Sequence, residues 1–147
     1  MGCLKEPLGF MIVVALVLLH CSTLASSAWP SWPTWHVNIV NELNSEQTLF
    51  VHCQSKDDDL GEHNISVGTQ YSFAFKDNIW GTTLFWCYLR KPNNSHADFD
   101  VYWVDNGKGY WLYTRCNWKT CIWIAKDDGI YIKDIPVNQD QLIHKWE

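Results

Sequence analysis

The sequence predicts an all-β fold, a small disulfide-bridged β-sandwich of about seven or eight short antiparallel strands. Three observations carry that expectation. Apolar and polar residues alternate with period two through most of the chain after residue 36, in runs rich in β-branched and aromatic residues. Turn signals such as "DNGKG" and "DDG" separate the runs. No 11-residue window has helical periodicity, and an even set of cysteines remains once the leader is set aside.

The leader comes first. "LGFMIVVALVLL", Leu8 to Leu19, is a short uncharged apolar run preceded by Lys5 and followed by small residues. That is the anatomy of a secretory signal peptide over residues 1–28, with cleavage expected after Ala25 or Ala28. The run falls short of the roughly 20 residues a membrane span needs, so no stable membrane anchor is expected. Cleavage leaves about 120 residues, enough for one domain and one core. Residues 29–36, containing "WPSWPTW", read as an extended Trp/Pro arm, and 37–147 as the domain.

Within the domain, "HVNIVNEL" is a strand candidate. "TLFVHCQ" puts Leu49, Val51 and Cys53 on one face and Phe50, His52 and Gln54 on the other. "QYSFAFK" sorts Tyr71, Phe73 and Phe75 from Ser72, Ala74 and Lys76. "TTLFWCYLR" is apolar on both faces, which suits a central strand. "DFDVYWV" and "YWLYTRC" flank "DNGKG" as one hairpin, and "CIWIAK" and "IYIK" flank "DDG" as another. "NQDQLIHKW" suits a short helix or a last extended piece.

Net charge is −5, and losing Lys5 and Glu6 together leaves it unchanged, so there is no electrostatic footprint for nucleic acid. Cys53, Cys87, Cys116 and Cys121 form an even set, expected as two disulfides in a secreted chain rather than a zinc site. Three connectivities are open; Cys53–Cys121 with Cys87–Cys116 is favoured, on the expectation that Cys116 and Cys121 lie on opposite sides of a turn and reach different earlier strands. "NIS" at Asn64 and "NNS" at Asn93 are candidate N-glycosylation sites.

"HCQSKDDDLGEH", His52 to His63, invites a metal reading. Adjacent His52 and Cys53 point to opposite faces of a strand, and counting from Asp57 puts Gly61 where the third acidic ligand of an EF-hand belongs. A structured acidic turn is expected instead, with Asp59 as backbone cap, Leu60 on the core and Gly61 at positive φ. No metal, cofactor or catalytic residue is assigned. The chain has no G-x-S-x-G elbow and no "HGLWP"-like ribonuclease strand, so an enzyme is not expected.

Together, "VNIVNEL", "LFVHCQSKDDDLGEH", "TLFWCYL", the C-x₄-CIW strand and "DDGIY" resemble the plant self-incompatibility protein S1 family, the S-protein homologues, across Val37 to Tyr131. The resemblance implies a small secreted cysteine-bridged β-sandwich without a catalytic motif. It implies an extracellular recognition protein, like the ligands that reject self pollen by binding a cell-surface receptor. An extracellular carbohydrate-binding or defence-related protein is the alternative. A receptor protein is the expected partner and a monomer the expected state. Trp86, Trp103, Trp111 and Trp123 read as core or cross-strand residues, Trp29 and Trp32 as surface ones, and Trp80 as a surface candidate whose alternative is to fold back onto the sandwich. Three loops are candidate contacts: "DNIWGT" with Trp80, "KPNNSHAD" with Arg90 and Lys91 beside it, and "DNGKG" with Lys108.

Overall fold

The structure is a computed structural model that describes residues 31–44, 46–107 and 109–147. The leader, both of its candidate cleavage sites, Trp29 and Lys108 lie outside the described residues. Trp32–Glu147 forms one compact unit, so the domain includes residues read above as arm.

Nine strands and one short helix make up the described residues. They are β1 (Thr34–Asn41), β2 (Leu49–Ser55), β3 (Asp59–Ile65), β4 (Gln70–Lys76), β5 (Leu84–Arg90), β6 (His96–Trp103), α1 (Trp111–Arg115), β7 (Thr120–Lys126), β8 (Gly129–Asp134) and β9 (Gln139–His144). The strands form two facing sheets, ordered β4-β1-β7-β8-β9 and β3-β2-β5-β6. The sandwich expected from the alternation is therefore present, with one exception to its antiparallel character. β1 and β7 run parallel, His36 opposite Thr120 and Asn41 opposite Ala125. Parallel neighbours cannot be joined by a hairpin, and here the whole second sheet and α1 intervene between them.

The period-two pattern explains the core. Trp35, Val37 and Ile39 of β1, Leu49, Val51 and Cys53 of β2, and Phe85, Cys87 and Leu89 of β5 all face inward and are buried. Their alternates are half-buried or exposed. β5 lies between β2 and β6, the interior position its two apolar faces suggested. Tyr102 needs a further device. A register shift against β5 lets both Val101 and Tyr102 turn inward, as β-bulges do when they re-aim a side chain.

Three expectations are corrected. First, the disulfides are Cys53–Cys87 and Cys116–Cys121, not Cys53–Cys121 and Cys87–Cys116. Cys53 and Cys87 are directly opposed in the β2–β5 register, with Cα atoms 4.0 Å apart, within reach of a cross-strand bridge. Cys116 closes α1 and its Cα lies 4.3 Å from that of Cys121 at the start of β7, so the turn brings the two together instead of parting them. Second, "YWLYTRC" is helical over Trp111–Arg115, not the second strand of a hairpin. Third, "DLGEHNI" is strand β3, paired with β2, where the acidic turn alone was expected. "NQDQLIHKW" resolves as extended chain, β9 and its tail.

Candidate functional site

β4 ends at Lys76 and the chain crosses to β5 through Asp77–Thr83, the loop that holds Trp80. Its base is tied to the core. The Asp77 carboxylate accepts from Trp35 Nε1 at 3.1 Å and from Tyr102 OH at 2.8 Å. Burial, then Tyr113 and Asp77, push the Tyr102 phenol far above its usual range, so it stays protonated and donating. The loop is also closed on itself. Asn78 N donates to Thr83 Oγ1 at 2.8 Å, Thr82 N to Asn78 Oδ1 at 2.9 Å, and Asn78 Nδ2 to Thr82 Oγ1 at 2.9 Å. Gly81 has a φ of 63°, a left-handed value that suits glycine. On this braced loop Ile79 and Trp80 are 72% and 78% exposed. Trp80 is therefore a surface residue and does not fold back onto the sandwich, the alternative that the sequence left open.

The opposite wall is the β2–β3 turn. Ser55 Oγ accepts from Asp57 N at 3.3 Å and from Asp58 N at 3.0 Å. Asp59 Oδ1 accepts from Gly61 N at 2.9 Å and lies 2.7 Å from His52 Nε2. The Gly61 amide, with His52, holds the Asp59 carboxyl below its ordinary value. Asp59 is thus the cap expected of it, Gly61 has a positive φ of 79°, and Leu60 packs against the core. Among the described residues no group of three or more His, Cys, Asp or Glu side chains is placed to hold a metal ion. Between the two walls lies a cleft of about 470 Å³, lined among others by Lys56, Asp57, Asp58, Trp80 and Trp86.

Further aromatics share this end of the sandwich. Trp32, just before β1, is exposed, as expected. Tyr110 and Trp118 are exposed beside α1, ring centroids 5.3 Å apart. Tyr113 joins them to Trp35 at the head of β1, 4.6 Å away. Tyr110 and Trp118 both have left-handed backbone, φ 47° and 57°, a costly state for bulky residues that collects at functional sites. Sequence reasoning missed this pair, because a strand reading of "YWLYTRC" hides it. The available signal was Asn117 between two nearby cysteines, since Asn tolerates the left-handed turn that displays Trp118.

The other candidates do not join Trp80. Arg90 ends β5, roughly 20 Å of strand from Leu84, so it and Lys91 lie at the far end of the sandwich. Arg90 lies over the Phe50 ring at 5.1 Å. Lys91 lies over Trp146 at 4.8 Å and donates to Asp127 O at 3.1 Å, so it fastens the turn. Both sequons lie at that end: Asn64 is exposed on β3 opposite Phe50, and Asn93 is exposed in the β5–β6 turn. Near Lys108, the Asp105 side chain is buried and accepts from Leu112 N at 2.8 Å and Gly107 N at 3.3 Å. It substitutes for a side-chain cap at the start of α1, where Tyr110 provides none.

Known proteins share both the sequence pattern and this fold. The family model for plant self-incompatibility protein S1 matches residues 36–146. S-protein homolog 1 of Arabidopsis thaliana is 39% identical over 153 aligned positions, covering 100% of this chain and 98% of that protein. S-protein homolog 74 of the same plant is 37% identical, covering 89% and 83%. A solved structure described as a self-incompatibility protein homologue, from a widespread family of small, highly stable, secreted plant proteins, superposes with a TM-score of 0.61 at 24% identity. It covers 80% of this chain and 97% of its own, and supports the same fold. On the match to residues 36–146 and the near-complete alignment with S-protein homolog 1, the chain belongs to the plant self-incompatibility protein S1 family.

Proposed function

We propose that this protein is a secreted recognition ligand that binds a protein partner on a plant cell surface through the aromatic end of its sandwich, and that it acts by binding rather than catalysis. One observation carries the reading: Trp80, 78% exposed, stands on a loop already fixed by its own hydrogen bonds. An anchor that is ordered before binding loses little freedom on binding, and tryptophan is prominent among residues that dominate interface energy. The leader-like segment and the relatives' description as secreted support the extracellular setting. The two sequons lie at the opposite end, so glycans there would leave the aromatic end open. Among the described residues no helix is long and apolar enough to cross a membrane.

The experiment is saturable binding of labelled protein to intact plant cells, with Trp80→Ala as the variant. Loss of binding by a folded variant supports the reading, and unchanged binding removes it. Exposed tryptophan also suits stacking on a sugar ring. A glycan array separates the two: micromolar binding of an isolated sugar through Trp80 would favour a carbohydrate-binding role. Transcript confined to stigma would favour rejection of self pollen, and expression in roots, seeds or leaves another extracellular process.

A further inference from the structure

A second cleft, of about 470 Å³, opens where the edge strands β6 and β9 approach each other. Its volume is in the range of small-ligand sites. Trp103, Trp111 and Phe99 supply aromatic walls, and Asp98, Asp100 and His144 supply the polar groups. Trp103 and Trp111 stack nearly parallel, 13° between planes and centroids 6.0 Å apart. Arg115 lies over Trp111, Cζ 4.1 Å from the ring centroid, so Trp111 already holds a guanidinium within the fold and Trp103 is the ring left for a ligand. Phe99 packs beside His144 at 4.9 Å.

The charge of the cleft has one sign. Asp98 and Asp100 are exposed, and neither enters a salt bridge among the described residues. No lysine or arginine lines the cleft; Arg115 and Lys145 only flank it. Burial lowers the His144 pKa against the opposing pull of Asp100, so the imidazole adds no positive charge near neutral pH. Aromatic faces beside unpaired carboxylates are the complement of an organic cation, which gains from the ring quadrupoles and from the negative charge together.

We infer that this cleft binds an organic cation, an ammonium or guanidinium group, carried either by a small molecule or by a basic side chain of a partner. The cleft shares no lining residue with the Trp80 cleft, although Trp103, paired with Leu84, and Trp111 bring one side of it to the same end of the sandwich; the inference does not depend on the function proposed above.

The test uses the folded secreted protein at neutral pH and constant ionic strength, with the indole N–H signals of Trp103 and Trp111 read by NMR. The probes are tetramethylammonium, its neutral shape analogue tert-butanol, the peptide acetyl-Gly-Arg-Gly-amide and cellohexaose. The expected result is saturable shifts with tetramethylammonium or the peptide and none with tert-butanol. Stronger binding of the peptide assigns the cation to a partner's side chain, and stronger binding of tetramethylammonium to a free molecule. Asp98→Asn and Asp100→Asn should each weaken binding roughly two- to fivefold, the scale of one exposed charge contact. Trp103→Leu should give a similar loss from the aromatic side. A variant counts only if its amide spectrum stays native, and the three variants act on different groups, so one misfolded protein does not remove the test. Equal shifts with tert-butanol, shifts with cellohexaose alone, or unchanged cation binding in all folded variants would overturn the inference.

Discussion

Asn41 is wholly buried, and both ends of its amide are engaged. Its Nδ2 donates to Gln47 O at 2.8 Å and Ile65 O at 2.9 Å, and its Oδ1 accepts from Leu43 N at 3.0 Å. It therefore joins the end of β1 to the chain entering β2 and to the end of β3. Asn41→Leu should cost about 1–3 kcal/mol in chemical denaturation, because three backbone groups, two of them in buried bonds, lose their partner. The acidic run makes a finer test. Asp59→Ala should lower the melting temperature more than Asp57→Ala, since Asp59 accepts from Gly61 N while the exposed Asp57 contributes only its backbone N–H, to Ser55 Oγ. Equal, negligible changes would mean a solvated run without a cap. The role of Asp59 was legible because Asp two residues before Gly is a local signal. The partners of Asn41 were not, because they come from distant parts of the chain.

Elements divide along the same line. β1, β2 and β4 were readable because apolar and polar positions alternate along each, the inner face buried in β1 and β2 and half-buried in β4, and β5 because it is apolar on both faces. β3 was not, because "DLGEHNI" is polar on most positions and is a strand only through pairing with β2. α1 was hidden because its five residues are too few for a helical period to show, and its start is capped from Asp105 across the turn. Asp105→Ala should destabilise the protein by about 1–2 kcal/mol, with loss of protection at the Leu112 amide in hydrogen exchange as the local signature. The disulfides should differ in strength. With sequence separations of 34 and 5, the chain-entropy model gives about 4 kcal/mol for Cys53–Cys87 and about 2 for Cys116–Cys121. Denaturation midpoints of the two double Cys→Ala variants check the order. The short bridge also closes the turn that displays Trp118, so its removal should perturb that end of the molecule more than its energy implies.

On the scale of the whole molecule, acid should destabilise in two stages. His144 has a pKa below its ordinary 6.5 because burial disfavours the charged ring. Its contribution is present above 6.5 and is lost as pH falls through the lower folded value. Asp140, held low by its hydrogen bond to Lys126, contributes above 3.8, and that contribution is lost on further acidification. Lys126 is raised above 10.5, so its share persists through neutral pH and fades only on the alkaline side. His144→Gln should remove the first stage of a stability–pH profile and leave the second. The two ends of the sandwich are also unlike: braced loops with exposed aromatics at one, the sequons and the Lys91 turn at the other. The sequence put Trp80 in a loop but left open whether it faces solvent or folds back onto the sandwich. It did not reveal that Trp32, Tyr110 and Trp118 share its end or that Arg90 and Lys91 do not, because only strand direction and register settle which loops meet. The most direct measurement is saturable binding of the labelled protein to intact plant cells, beside Trp80→Ala matched for secretion and melting temperature. The expected result is a variant as stable as the parent that no longer binds. A variant that binds cells as the parent does would contradict the assignment of recognition to the Trp80 end.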